Sequence, residues 1–227
     1  MDHRTPLLES CHPELDDSDF LPESGIRRFQ TLIGMAQWAC TIGRLNIAFA
    51  VLSLSRFSAA PRIHHLELVF HLFGYHKKNP NRRIVIDSRP LIVDTGLQTD
   101  SFHPDFLEGY SDASEDIDET LPTSYGRELE TSVFFDADHA HDHVTRRSIL
   151  SGIIVSVGST PVLRQSKRQG CIATGTYCAE FVSMRSAAEE AMSIRYMLRC
   201  LGVPDTKPTN LYGDNFGVIQ SATGGRA

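Results

Sequence analysis

Residues 177–201, YCAEFVSMRSAAEEAMSIRYMLRCL, carry the most diagnostic periodicity in the chain. Met184, Ala187, Ala191, Ile194, Leu198 and Leu201 recur at spacings of three and four, so one α-helix presents them as a single apolar stripe toward a sheet. Thr174 or Thr176 offers a cap at the start, and Gly202 with Pro204 supplies the stop signals. Stepping back four residues from Met184 reaches Glu180, which places a carboxylate on the core side of the first or second turn. The helix dipole offsets only about 1 kcal/mol of the cost of burying such a group, so a cation partner is expected.

The flanking sequence supplies the sheet. TSVFFD (131–136) is a short β-rich run ending in Asp136. ILSGIIVSV (149–157) and TPVL (160–163) are apolar runs separated by Gly158 and Ser159, the arrangement of a hairpin with a tight turn. A fourth run, NLYGD (210–214), ends at Asp214. Asp136 and Asp214 therefore close strands of one sheet, where both can converge with Glu180. Three carboxylates form a hard oxygen site suited to Mg²⁺ or Mn²⁺. Taken singly, Asp136 reads as a turn residue, Glu180 as a dipole-favoured carboxylate and Asp214 as an N-cap for FGVIQSA; their joint placement favours the metal reading.

The 227 residues, 41% hydrophobic and 22% charged, suit one globular domain or two small ones, so a large multidomain enzyme is not expected. The net charge of -6 is unevenly spread: residues 1–93 carry +2, 94–130 carry -10 and 131–227 carry +2. Four segments are expected: a loosely ordered tail (1–25), a helical block (26–93), an acidic linker (94–130) and the sheet-and-helix domain (131–227). In the helical block Phe29, Leu32, Ile33, Ala36 and Ala39 or Cys40 share a helix face that Gly43 ends, and apolar runs over 46–57 and 61–75 repeat the pattern, with Pro61 in a first turn. His64, His65, His71 and His76 read as packed or surface histidines of that block. The longest apolar stretch, IAFAVLSL (47–54), is far short of the roughly 18 residues of a membrane span. The first 25 residues hold seven acids and no apolar signal core, so an intracellular protein is expected. Five cysteines without CxxC spacing suit reduced thiols.

The C-terminal block resembles the ribonuclease H domain of copia-type retrotransposon polyproteins through FFDADHAHD, TRRSILSG, SKRQG, TYCAEFVSM, EEAMSIRYMLRCLG and LYGDNFGVIQSA, in the family's order. The first block resembles the region that follows the reverse transcriptase core of the same polyproteins, through FQTLIGMAQWACTIGRLNIAFAVLSLSRFSAAPR and FGYHKKNPNRRIVIDS. The resemblance implies a mixed α/β fold: a ribonuclease H-like mixed sheet with flanking helices, preceded by a small helical block. It implies metal-dependent endonucleolytic cleavage of the RNA strand of RNA/DNA hybrids, with Asp136, Glu180 and Asp214 as catalytic metal ligands for two Mg²⁺ or Mn²⁺ ions. Arg146, Arg147, Lys167 and Arg168 are the candidate nucleic-acid contacts. Further implied are association with the upstream reverse transcriptase portion of a polyprotein, and a cytoplasmic (virus-like particle) or nuclear setting.

The sequence departs from that pattern in two places. It stops at TGGRA (223–227), where the family continues into a His-rich stretch, a further strand and a terminal helix that supplies another metal-site group. Arg164 and Gln165 stand where the family usually has an aromatic residue before its SK-Q motif. No YxDD turn is present, since Asp16-Asp17 follows Glu14-Leu15 in a polar tail, so no DNA synthesis is expected. Two alternatives stand beside the nuclease. One is a catalytically defective retroelement fragment with at most weak nucleic-acid binding. The other is a zinc-dependent hydrolase using His139, His141 and His143, whose HAHDH order is one residue short of the HxHxDH of metallo-β-lactamase-like enzymes.

Overall fold

A computed structural model of the chain describes residues 5–7, 12–93 and 117–223. Most of the acidic linker (94–116), Cys11 and residues 224–227 lie outside the described residues.

Among the described residues, five α-helices and four strands follow in chain order: α1 (Glu23–Thr41), α2 (Ala48–Ser55), α3 (Ile63–Lys78), β1 (Thr131–Asp138), β2 (Ile149–Val157), β3 (Thr160–Arg168), α4 (Thr176–Cys200), β4 (Asn210–Tyr212) and α5 (Phe216–Thr223). The strands form one sheet in the order β3-β2-β1-β4. Gly158 takes a positive φ of 58° at the first position of the two-residue turn between β2 and β3, the geometry a tight hairpin requires. β4 pairs with β1 in parallel, matching Ser132 with Asn210, Val133 with Leu211 and Phe134 with Tyr212. The fold is therefore mixed α/β, a ribonuclease H-like mixed sheet with flanking helices, preceded in sequence by a helical block. No described helix is long and apolar enough to cross a membrane.

By compactness the chain divides into two units. The first comprises residues 1–85, 138–152 and 163–173. Its core is that of the three N-terminal helices: Phe29, Ile33 and Ala36 of α1, Ala50, Val51 and Leu54 of α2, and Leu68, Val69, Leu72 and Tyr75 of α3. Leu32, Ala39 and Cys40 pack partly against it. Gly43, at φ 117°, follows the end of α1 as the stop signal predicts. Pro61 lies one residue before the cap Arg62 rather than inside the first turn of α3. His65 and His71 are buried helical histidines, bonded through Nε2 to the carbonyls of Pro13 (2.8 Å) and Thr5 (3.0 Å).

The second unit comprises residues 86–137, 153–162 and 174–227. Val133, Phe135 and Ala137 of β1, Ile153, Val155 and Val157 of β2, and Ala179, Ala187, Ala191 and Ile194 of α4 are its buried apolar residues, joined by Val218 of α5. α4 packs against β4 and α5. Its cap is Gly175 without a side-chain bond, so neither Thr174 nor Thr176 serves. The apolar stripe ends early: Leu201 is 77% exposed, while Arg195 is buried on the same side as Ile194. Arg195 reaches forward to Asp205 Oδ1 (3.3 Å), the Lys207 carbonyl (2.6 Å) and Thr209 Oγ1 (3.2 Å), which fixes the segment that feeds β4. The run IVIDS (84–88) forms no strand; instead the Asp87 carbonyl accepts Ser159 N–H at 3.0 Å and ties this segment to the hairpin turn.

Candidate metal centre

The strand register sets the first two carboxylates. Phe134 and Tyr212 are partners in the parallel pair and their rings stack at 4.9 Å. Side chains two residues further along each chain return to the same face, which puts Asp136 and Asp214 at matching levels. β1 runs on to Asp138, so Asp136 is inside the strand; β4 stops at Tyr212, so Asp214 lies just beyond it. Both aspartates are exposed.

Gly213 makes that approach possible. A Cβ at this position would stand 2.3 Å from Cζ of Phe135, whose ring is buried. The side chain of Asn215 then accepts Val218 N–H at 3.2 Å and caps α5. The cap expected of Asp214 is thus supplied by its neighbour, and Asp214 keeps its carboxylate for the cluster.

Glu180 comes from the second turn of α4. Its Oε1 accepts the Ala137 backbone N–H at 3.2 Å, and Ser183, one turn later on the same face, donates from Oγ to the Asp136 carbonyl at 3.1 Å. These two bonds dock the start of the helix onto the end of β1. Glu180 is only 6% exposed and its other oxygen, Oε2, is buried with no hydrogen-bond donor. Burial pushes its carboxyl up to about 7; the Ala137 bond opposes this, and the charges of Asp136 and Asp214 add to it.

One carboxylate oxygen from each of Asp136, Glu180 and Asp214 lies within 4.8 Å of the others. Three hard oxygen donors, one buried and short of a donor, fit a divalent cation such as Mg²⁺ or Mn²⁺.

The basic candidates belong to the first unit. Arg146, at φ 55°, and Lys167 are exposed. Arg168 bonds Asp142 Oδ2 at 3.2 Å, and Arg56 pairs with the same oxygen. Arg147 joins Arg56, Arg168 and Gln169 around a cavity of about 260 Å³. Sequence reasoning missed Arg56 and Asp142, since nothing local announces a pair 86 positions apart.

The histidines of HAHDH do not meet as one set among the described residues. His139 Nε2 bonds the Ala173 carbonyl at 3.2 Å, His141 pairs with Asp138, and His143 lies instead beside His12 and Glu14.

Compared with known proteins, the chain is 24% identical over 189 residues to a retrovirus-related Pol polyprotein from transposon RE1 of Arabidopsis thaliana. The match covers 83% of the chain but 10% of that polyprotein, so the chain spans about a tenth of the length of the curated relative it matches. The likeness supports a retroelement-derived origin. No family model and no solved structure matches the chain.

Proposed function

We propose that the chain is a retroelement-derived, ribonuclease H-like endonuclease that cleaves the RNA strand of RNA/DNA hybrids using divalent cations at Asp136, Glu180 and Asp214. The observation that carries this reading is the buried Glu180 carboxylate, with an oxygen that no donor satisfies, facing two exposed aspartates held in parallel register.

Each residue has a task that follows from its position. Asp136 and Asp214 present their carboxylates to solvent, where phosphate oxygens approach. Glu180 is anchored by Ala137 N–H, so Oε1 stays fixed while Oε2 remains a ligand atom. Ser183 holds the Asp136 backbone against the helix and limits the strand end to one position. Two Mg²⁺ or Mn²⁺ ions, when bound, supply activation of the attacking water and stabilisation of the leaving 3′ oxygen. Hybrid recognition through backbone shape and 2′-hydroxyl groups would draw on Arg146, Arg147 and Lys167 for phosphate contacts, while Arg168 is engaged with Asp142. In a longer polyprotein, an upstream reverse transcriptase portion would supply the hybrid.

The test is cleavage of a labelled hybrid by the whole chain, with and without Mg²⁺, beside Asp136→Asn. Metal-dependent loss of the RNA strand alone, abolished in the variant, is the expected result. A folded chain that cuts neither strand replaces this reading with that of a catalytically defective fragment.

A further inference from the structure

A second group of potential ligands gathers in the first unit. His12 and Glu14 flank Pro13 at the 3-10 turn Pro13–Leu15, and His143 lies in the segment after β1, yet one ligand atom of each is within 4.8 Å of the others. His12 Nδ1 stands 3.3 Å from Glu14 Oε1, and the same oxygen accepts the His143 backbone N–H at 3.4 Å. The two imidazoles meet edge to face with centroids 4.2 Å apart.

Chemistry narrows what such a group holds. The Glu14 side chain is 6% exposed, and its Oε1 stands at the long end of hydrogen-bonding distance from both His12 Nδ1 and the His143 backbone N–H. Two imidazole nitrogens and one carboxylate oxygen form a borderline donor set that favours Zn²⁺ over Mg²⁺ or Ca²⁺. Tetrahedral zinc with bonds of about 2.0–2.1 Å holds its ligands about 3.3–3.4 Å apart, a separation that His12 and Glu14 already have. Glu14 also borders a cavity of about 410 Å³, whose lining includes Asp138, His141, Arg56 and Arg164.

The geometry points to a zinc site formed by His12, Glu14 and His143, which clips the N-terminal segment to the segment following β1. The ligands are 129 positions apart in sequence, so a bound ion closes a long loop and stabilises the folded chain. This site does not depend on the carboxylate triad, and it differs from the HAHDH set because His139 and His141 are engaged elsewhere.

The test uses the full chain stripped of metal, titrated with zinc against a chromogenic chelator and followed by thermal melting. One zinc per chain with sub-micromolar affinity, and a Tm raised by zinc, are expected. His12→Gln and His143→Gln should each weaken binding by at least about tenfold, whereas His141→Gln and Asp136→Asn should leave it within about twofold. His143 is exposed, so its variant retains the metal-free melting curve of the parent and decides the matter even if His12→Gln is unstable. Cobalt in place of zinc should give the visible spectrum of a tetrahedral site, lost in His143→Gln. Zinc binding unchanged by His143→Gln, lost equally in His141→Gln, or absent below about 100 µM overturns the proposal.

Discussion

Ser183 Oγ donates to the carbonyl oxygen of Asp136, so the helix that carries Glu180 grips the backbone of the strand that carries its partner. Ser183→Ala removes one hydrogen bond, worth about 1 kcal/mol, and should lower Tm by about 2–4 °C. Hybrid cleavage should fall further than stability does, about tenfold in kcat, since the strand end gains freedom where its geometry matters. Melting curves and single-turnover cleavage on the same preparations check this, and equal small losses in both would reduce Ser183 to a packing residue.

Glu180→Gln should separate stability from activity. The carboxyl is raised from its ordinary 4.5 to about 7, so the folded metal-free chain holds this proton more tightly than the unfolded chain. Its contribution is therefore fully present below about pH 4.5 and lost as pH rises through about 7. In EDTA, the parent's Tm should fall relative to that of Glu180→Gln between pH 5 and 8. Metal-dependent cleavage by the variant should drop at least about a hundredfold.

Gly213→Ala should act through sterics alone. A methyl group 2.3 Å from the buried Phe135 ring forces either the ring or the strand end to move, at a cost of about 1–3 kcal/mol. Because Asp214 is the next residue, divalent cation affinity should weaken with it. Calorimetric titration of Mn²⁺ checks the second effect, and denaturant melts the first.

Asp142 has the opposite pH dependence to Glu180. Burial acts to raise its carboxyl, but Thr145 N–H at 2.8 Å and the Arg56 charge outweigh burial and hold it well below the usual carboxylate range. Its contribution is present above the unfolded value of about 3.8 and lost as pH falls below it. Asp142→Asn leaves Arg56 and Arg168 without their shared anion and, because both guanidinium groups reach solvent, should cost about 1–3 kcal/mol. It should also flatten the acid limb of the Tm profile.

Periodicity made α4 and its stripe legible, and one step back along that stripe found Glu180, because helical spacing is a local property of sequence. The turn at Gly158 was legible for the same reason. Ser183, Gly213 and Asn215 were not, since each acts on a residue brought near by the β1–β4 register, and no local pattern encodes register. Arg195 escaped notice because a cation beside Ile194 reads as a solvated face; only its partners at Asp205 and Thr209 make it a buried one. Leu201 failed in the opposite sense, continuing the stripe in sequence after the helix had ended.

The parallel pairing of Ser132 with Asn210 spans almost eighty positions. Contacts so distant in sequence form late, because the chain between them must lose its freedom before they are rewarded. During synthesis at about 5–20 residues per second, β1 and its hairpin emerge seconds before β4 does. Asp136 therefore waits without Asp214 until the residues between them have been made, and the three carboxylates come together only after translation has passed the strand that completes them.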